Sequence, residues 1–314
     1  MIGNQGEPPA DGPPAGRGSF RSGFVALSGR PNVGKSTLLN QLVGSKISIV
    51  SPVSQTTRTI VRAVARTRDS EVIYLDTPGV HRPQFRMNRE MVRQARAALE
   101  QVDLVGLMIE GPEGFGPGDA YVLRLLQEAK TPAFLIINKI DALGRKDLLP
   151  LMAEAAKRHA WDEIFPVSAL SGEGCDELAA AVRRKIPEGG PLFPEDFLSD
   201  LPERLALGEL IREQVLLRTR QEIPHSTAVM VESLERNAQG EVRVGATVFV
   251  ERESQKGILI GRGGEMLKAI GISARQEMAA SLRTPVHLSL WVKVKKNWRD
   301  DPSVLRLLGI AIPE

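Results

Sequence analysis

From residue 22 to about 186 the chain alternates short apolar runs with stretches of helical period. The runs FVALS (24–28), EVIYL (71–75), LVGLMI (104–109), AFLIIN (133–138) and IFPVS (164–168) are short and rich in branched and aromatic residues, so they predict strands. Between them KSTLLNQLV, NREMVRQARAALEQ, AYVLRLLQEA, LLPLMAEAAKRH and CDELAAAVRRKI repeat apolar positions every three or four residues and predict helices. Near-continuous apolar strands separated by helices predict an α/β domain with a mostly parallel sheet covered on both faces. Ligands of such sheets sit at the carboxyl ends of the strands.

The rhythm breaks at PEGGPLFPEDFLSDLPE (187–203), whose four prolines predict a linker. Beyond it the order changes to a helix (RLALGELIREQVLLRT), two strands (TAVMVESLER and EVRVGATVFVER), a short helix (SQKGILI), a glycine turn, a longer helix (EMLKAIGISARQEMAASL) and a strand (VHLSLWVKVK). That α-β-β-α-α-β order predicts a smaller, separate α+β domain. The expected division is a disordered tail over 1–20, a first domain over 21–188, a linker over 189–203, and a second domain with a C-terminal extension over 204–314. The Pro- and Gly-rich tail has neither the apolar core of a signal peptide nor the Arg-rich pattern of a transit peptide.

Composition adds limits. The 314 residues are 42% hydrophobic and 25% charged, ordinary for a globular protein of two domains. No apolar run reaches the roughly 18 residues of a membrane span. The single cysteine, Cys175, excludes an internal disulfide and suits a reducing cytoplasm. The net charge of +3 is uneven, because Ser254 to Arg299 holds nine Lys or Arg against two acids, a net +7. On charge alone, a polyanion partner and a solvated face are equally good readings.

Candidate chemistry falls where the strands end. Gly29-Arg30-Pro31-Asn32-Val33-Gly34-Lys35-Ser36 fits G-x-x-x-x-G-K-[ST] between a strand and a helix, with Thr37 next in the helix. Backbone amides of such a loop curl around phosphates, Lys35 reaches the β and γ phosphates, and the Ser36 hydroxyl ligates Mg²⁺. Asp76-Thr77-Pro78-Gly79 follows the second apolar run. Asp76 can hold Mg²⁺, and Gly79 leaves room for its N–H to face a γ-phosphate. Asn138-Lys139-Ile140-Asp141 discriminates the base. The Asp141 carboxylate can accept both the N1–H and the 2-amino group of guanine, whereas adenine would leave it unpaired. Lys139 can lie along the base and Asn138 can bond a neighbouring loop. Ser168-Ala169-Leu170 can offer a backbone N–H to guanine O6. In the polar stretch around Gln55-Thr56-Thr57-Arg58, a threonine, Thr57 in preference to Thr56, completes the Mg²⁺ shell only when the γ-phosphate is present. Val80 stands where Ras-like proteins carry a water-positioning glutamine, which predicts slow hydrolysis. In the second domain, Gly261-Arg262-Gly263-Gly264 between two helices is the signature of a KH domain, here of type II. Such a loop clamps single-stranded nucleic acid by close backbone approach. Lys256, Arg262, Lys268, Arg275, Lys293, Lys295 and Lys296 supply its field.

These motifs in this order resemble the translation-factor-like GTPases. With GRPNVGKSTLLNQL, KISIVSPVSQTTR, DTPG, NKID and the closing PVHLSLWVKVKKNWRDDPSVLRLLG, residues 22–310 resemble the Era family of bacterial ribosome-assembly GTPases. The resemblance implies GTP and GDP as ligands, Mg²⁺ as cofactor, and 16S rRNA near its 3′ end on the 30S subunit as partner. It also implies peripheral contact with the inner membrane from the cytoplasm. Some related GTPases with Asn at the place of Asn32 bind K⁺ beside the phosphates, which implies a K⁺ here. Nothing in the sequence argues against a monomer. The Arg-Gly centre of the G-x-x-G loop and the neutral Met266 depart from the more cationic loop expected for the family. Two alternatives stand beside this reading: a passive RNA-binding module with structural nucleotide, and a phosphotransferase acting on a small molecule.

Overall fold

The structure, a computed structural model, describes residues 19–79 and 85–310. Nearly all of the expected tail, Val80 and the last four residues lie outside the described residues.

The first sheet contains β1 (Arg21–Gly29), β2 (Val61–Arg66), β3 (Ser70–Asp76), β4 (Leu104–Glu110), β5 (Ala133–Asn138) and β6 (Glu163–Pro166), in the order β2-β3-β1-β4-β5-β6. β2 runs antiparallel to β3, and every other pair is parallel. On one face Val25, Leu27, Tyr74 and Phe134 pack against α1 (Lys35–Val43) and α5 (Cys175–Lys185). On the other, Ala26, Ile73, Leu107 and Leu135 pack against α2 (Arg86–Glu100), α3 (Pro117–Ala129) and α4 (Arg145–Ala156).

β2 was not anticipated. Its sequence, VRAVAR, is thin in large apolar residues because it lies near the edge of the sheet, where arginines are tolerated. The segment read as a linker covers that edge. Val64 N–H donates to the Leu198 carbonyl at 3.0 Å and Asp200 N–H to the Arg62 carbonyl at 3.3 Å. The Arg66 guanidinium donates to the carbonyls of Phe193, Pro194, Glu195 and Phe197. Its partner Glu71, fully buried, accepts the N–H groups of Leu192 and Phe193. The prolines shape a strap that satisfies an open edge, in place of a free tether.

The second domain contains α6 (Glu203–Arg218), α7 (Ile223–Ser226), β7 (Ala228–Arg236), β8 (Val242–Val250), α8 (Glu253–Ile260), α9 (Glu265–Leu282), β9 (Val286–Val294) and α10 (Pro302–Leu307). β8 is central, antiparallel to β7 and parallel to β9. Leu207, Ile211, Leu259, Ile270 and Met278 of the helices cover one face, on Val231, Val244, Val248 and Val292. On the reverse face Ala228 and Phe249 meet Trp298, Val304, Leu305 and, from the first domain, Met87 and Met91 of α2. A helix read only as cover for the first sheet thus also joins the domains. The short α7 and α10 had no readable period.

Candidate functional site

β1 ends at Gly29, and α1 begins at Lys35 after Gly34, whose φ of 97° lies in the left-handed region. A Cβ on Gly34 would sit 2.2 Å from the Asn138 amide nitrogen, so this loop accepts no side chain there. Lys35 Nζ donates to the carbonyls of Gly29 and Arg30 at 3.1 and 2.9 Å. Burial lowers its pKa to about 8, against the opposing pull of Asp76 and Asp119. The Arg30 guanidinium turns to Glu113, Asp119 and Glu110 at 2.8, 3.2 and 3.7 Å, so its backbone alone belongs to the loop. Asn32 donates from its amide to the Pro52 carbonyl at 3.0 Å, bridging the loop to the polar stretch that follows α1.

Three oxygens converge beneath this loop. Asp76 Oδ2 accepts the Ser36 hydroxyl at 2.7 Å and the Thr57 hydroxyl at 3.2 Å, and those two hydroxyls are 2.8 Å apart. Asp76 Oδ1 is buried without a hydrogen-bond partner among the described residues. Burial pushes the Asp76 pKa up, while the Ser36 hydrogen bond and Lys35 hold it down. An all-oxygen set with one orphaned carboxylate oxygen suits a hard divalent cation. Among the described residues no group of three His, Cys, Asp or Glu side chains could hold a metal, so a cation here would take only part of its shell from the protein. Such partial protein ligation is the habit of Mg²⁺. Thr56 turns away, its hydroxyl bonded to Ser51 and to the Val53 carbonyl, both at 2.7 Å. Thr77 donates to the Leu27 carbonyl at 2.8 Å and secures the end of β3 beside Pro78, also buried. A Cβ on Gly79 would meet Pro31 Cα at 2.8 Å.

At the end of β5, Asn138 donates to the Val33 carbonyl at 2.7 Å and accepts the Ala169 N–H at 2.9 Å. One side chain therefore ties the phosphate loop to the loop after β6. Ser168 donates to Asp141 at 2.5 Å and fixes the carboxylate. Lys139, with φ of 64°, pairs with Glu110 at 2.9 Å. Since Ala169 N–H is engaged by Asn138 and Ser168 N–H by the Glu173 carbonyl, Leu170 alone of the three keeps an amide without a hydrogen bond among the described residues. Its side chain is exposed at the lip.

Asn32, Gly34, Lys35, Ser36, Thr57, Gly79 and Lys139 line a cleft of about 540 Å³, while Asp76, Asn138, Asp141 and Ser168–Leu170 lie outside its wall. Glu110, Glu113 and Leu217 also line it and were not foreseen. Leu217 comes from α6, and no local pattern marks a helix that reaches another domain's cleft.

In the second domain α8 stops at Ile260 and α9 starts at Glu265, with positive φ at Gly261, Gly263 and Gly264. Space above Gly263 and Gly264 is open, whereas a Cβ on Gly261 would meet Met266 at 2.8 Å. Arg262, Lys268 and Arg275 are exposed on this helical side, and Lys256 is partly exposed. Lys293 is not grouped with them. Val292 faces the helices, so strand alternation sends Lys293 to the reverse face, where it pairs with Glu232 at 3.3 Å. Lys295 pairs with Asp301 at 3.4 Å, and Lys296 is exposed.

Comparison with known proteins finds matches to both parts of the chain. The family of 50S ribosome-binding GTPases matches residues 24–139 and the KH domain family matches 222–299. The GTPase Era of Lacticaseibacillus paracasei is 47% identical over 288 residues, covering 92% of this chain and 96% of that protein. The GTPase Era of Heliobacterium modesticaldum is 46% identical over 290 residues, covering 92% and 97%. A crystal structure of Era in complex with MgGDPNP and nucleotides 1506–1542 of 16S ribosomal RNA superposes with a TM-score of 0.91 at 42% identity, over 93% of this chain and all of that one. An alanine variant of Aquifex aeolicus Era bound to GDP·AlF₄⁻ gives 0.90 at 41% identity, with the same coverage.

Proposed function

The chain belongs to the Era family of GTPases, and from that premise we propose that it binds 16S rRNA near the 3′ end through its second domain, assists assembly of the 30S subunit, and changes its RNA affinity with the nucleotide held in its first. It hydrolyses GTP to GDP and phosphate with Mg²⁺ as cofactor.

The roles we assign follow the geometry. Lys35 donates to the β and γ phosphates when nucleotide replaces its carbonyl partners. Ser36, Thr57 and Asp76 hold Mg²⁺, which when bound neutralises charge on the β and γ oxygens. Gly79 offers its N–H toward the γ-phosphate. Asp141, fixed by Ser168, accepts the N1–H and 2-amino group of guanine. Asn32 supplies its amide oxygen to K⁺, and equal turnover in K⁺ and Na⁺ buffers at matched ionic strength would overturn that role. The RNA reading is carried by one observation, the open turn at Gly263 and Gly264, where a phosphate backbone can approach peptide N–H groups directly.

We further place the protein in the cytoplasm as a monomer, with surface contact at the inner membrane. None of the described helices is long and apolar enough to cross a membrane. The test is a titration of a short single-stranded RNA from the 3′ end of 16S rRNA into protein saturated with GDP or with a non-hydrolysable GTP analogue, at fixed salt. An affinity difference of about tenfold is expected. Equal affinities would refute the switch, and absence of binding in both states would refute the RNA reading.

A further inference from the structure

The loop that carries Thr57 is held from outside its own domain. Val50 N–H donates to Glu213 Oε1 at 2.9 Å, and Lys46 pairs with Glu213 at 2.7 Å. Arg212, the neighbour of Glu213 on α6, donates to the carbonyl of Thr56 and pairs with Glu209. On the far side of Thr57, Arg58 crosses the domain boundary. Its guanidinium donates to the Thr227 and Pro224 carbonyls at 2.7 and 3.3 Å and lies 5.5 Å over the Trp298 ring. Both residues that flank Thr57 are therefore bound to the second domain, while Thr57 itself faces Ser36 and Asp76.

This anchorage is costly. Arg212 and Arg58 are buried in one interface with Glu209 as the nearby carboxylate, and Arg212 Nη1 and Arg58 Nε have no hydrogen-bond partner among the described residues. Two desolvated guanidiniums sharing one acid are tolerated only where their remaining hydrogen bonds are well made. Those bonds depend on residues 56–58 lying where Thr57 reaches the metal position.

We propose that Arg212 is a positioning residue for the nucleotide site. By holding the Thr56 carbonyl it fixes the Thr57 hydroxyl at the Mg²⁺ position, so the second domain completes the triphosphate-bound metal shell of the first. Coupling of this kind is reciprocal, and the metal shell in turn favours docking of α6.

The proposal rests on the GTP and Mg²⁺ reading and needs no RNA. Its test is equilibrium binding of fluorescent GDP and of a fluorescent non-hydrolysable GTP analogue, each with Mg²⁺ and with EDTA. The proteins are wild type, Arg212→Met, Arg212→Lys, Thr57→Ala and the Thr57→Ala/Arg212→Met double variant. Arg212→Met keeps the aliphatic stem and loses the donor. It is expected to weaken Mg²⁺-dependent binding of the analogue about tenfold, with GDP and EDTA affinities within about twofold of wild type, and Arg212→Lys is expected to recover part of the loss. In the Thr57→Ala background the Arg212→Met effect is expected to vanish, since Arg212 acts through Thr57. An unchanged analogue affinity, an equal loss for GDP, or full additivity with Thr57→Ala would overturn it. Should Arg212→Met not fold, Arg212→Lys carries the same comparisons. A wild type without Mg²⁺-dependent preference for the analogue would defeat the metal assignment and this proposal together. A wild-type preference untouched by the Arg212 substitutions would defeat this proposal alone.

Discussion

At the scale of single residues, the nucleotide site turns on groups whose ionisation the fold has shifted. Lys35 in the nucleotide-free protein titrates at about 8, below its ordinary value, because burial removes water from the ammonium. Phosphate oxygens restore the proton, so triphosphate binding takes up about one proton above pH 8. Affinity should be flat below that pH and fall up to about tenfold per unit above it, measured by titration between pH 7 and 9. Lys35→Arg should remove the slope, since a guanidinium stays charged throughout. Asp141→Asn should move preference from guanosine toward xanthosine nucleotides, because the carboxamide donates where the purine 2-position now accepts. An unchanged preference in competition binding would discard the base-pocket assignment. These residues were legible because their spacing is fixed by the phosphate and the base. The direction of the Arg30 side chain was not, since its partners Glu113 and Asp119 lie far along the chain.

At the scale of elements, periodicity placed α1 and α9 over the observed spans and four of the five apolar runs of the first sheet within their strands, while IFPVS (164–168) overran β6 by two residues. It failed at β2 and at the strap, which stabilise each other and have little signature alone. Glu71 is the test of that pair. Glu71→Ala leaves Arg66 without its carboxylate and two backbone N–H groups without acceptors, and should cost about 3–5 kcal/mol in denaturant unfolding. The G-x-x-G turn offers a cleaner separation of fold from function. Gly263 has φ of 60° with open space above it, a conformation Asp tolerates better than most residues. Gly263→Asp should therefore cost about 1–2 kcal/mol of stability while cutting RNA affinity at least tenfold through charge repulsion. Gly261, pressed on Met266, would confound the two.

At the scale of the whole molecule, the two domains share one apolar cluster and both hold the loop that carries Thr57. Methionines of α2, the ring of Trp298 and the helix α10 form a seam next to Arg58. Loss of the Arg58 contacts should therefore uncouple the domains. Arg58→Met is expected to shrink the difference in RNA affinity between the GDP and triphosphate states to under about threefold. An undiminished difference would place the coupling elsewhere in the seam.

The sequence by itself determined the two folds and singled out the Gly29–Ser36 loop, the Asn138–Asp141 quartet and the Gly261–Gly264 turn as candidate sites. Each is set by interactions local in the chain or by a ligand whose size fixes the spacing between strand ends. The sequence already favoured Thr57 over Thr56, and Thr57 does meet Ser36 and Asp76. Tertiary structure alone decided that Lys293 lies on the reverse face of the second sheet and that α6 reaches the nucleotide cleft. Those outcomes depend on which faces of separately folded elements are left to bury against one another. Met87 and Arg58 find their partners more than a hundred residues away, at separations where no period in the sequence connects them.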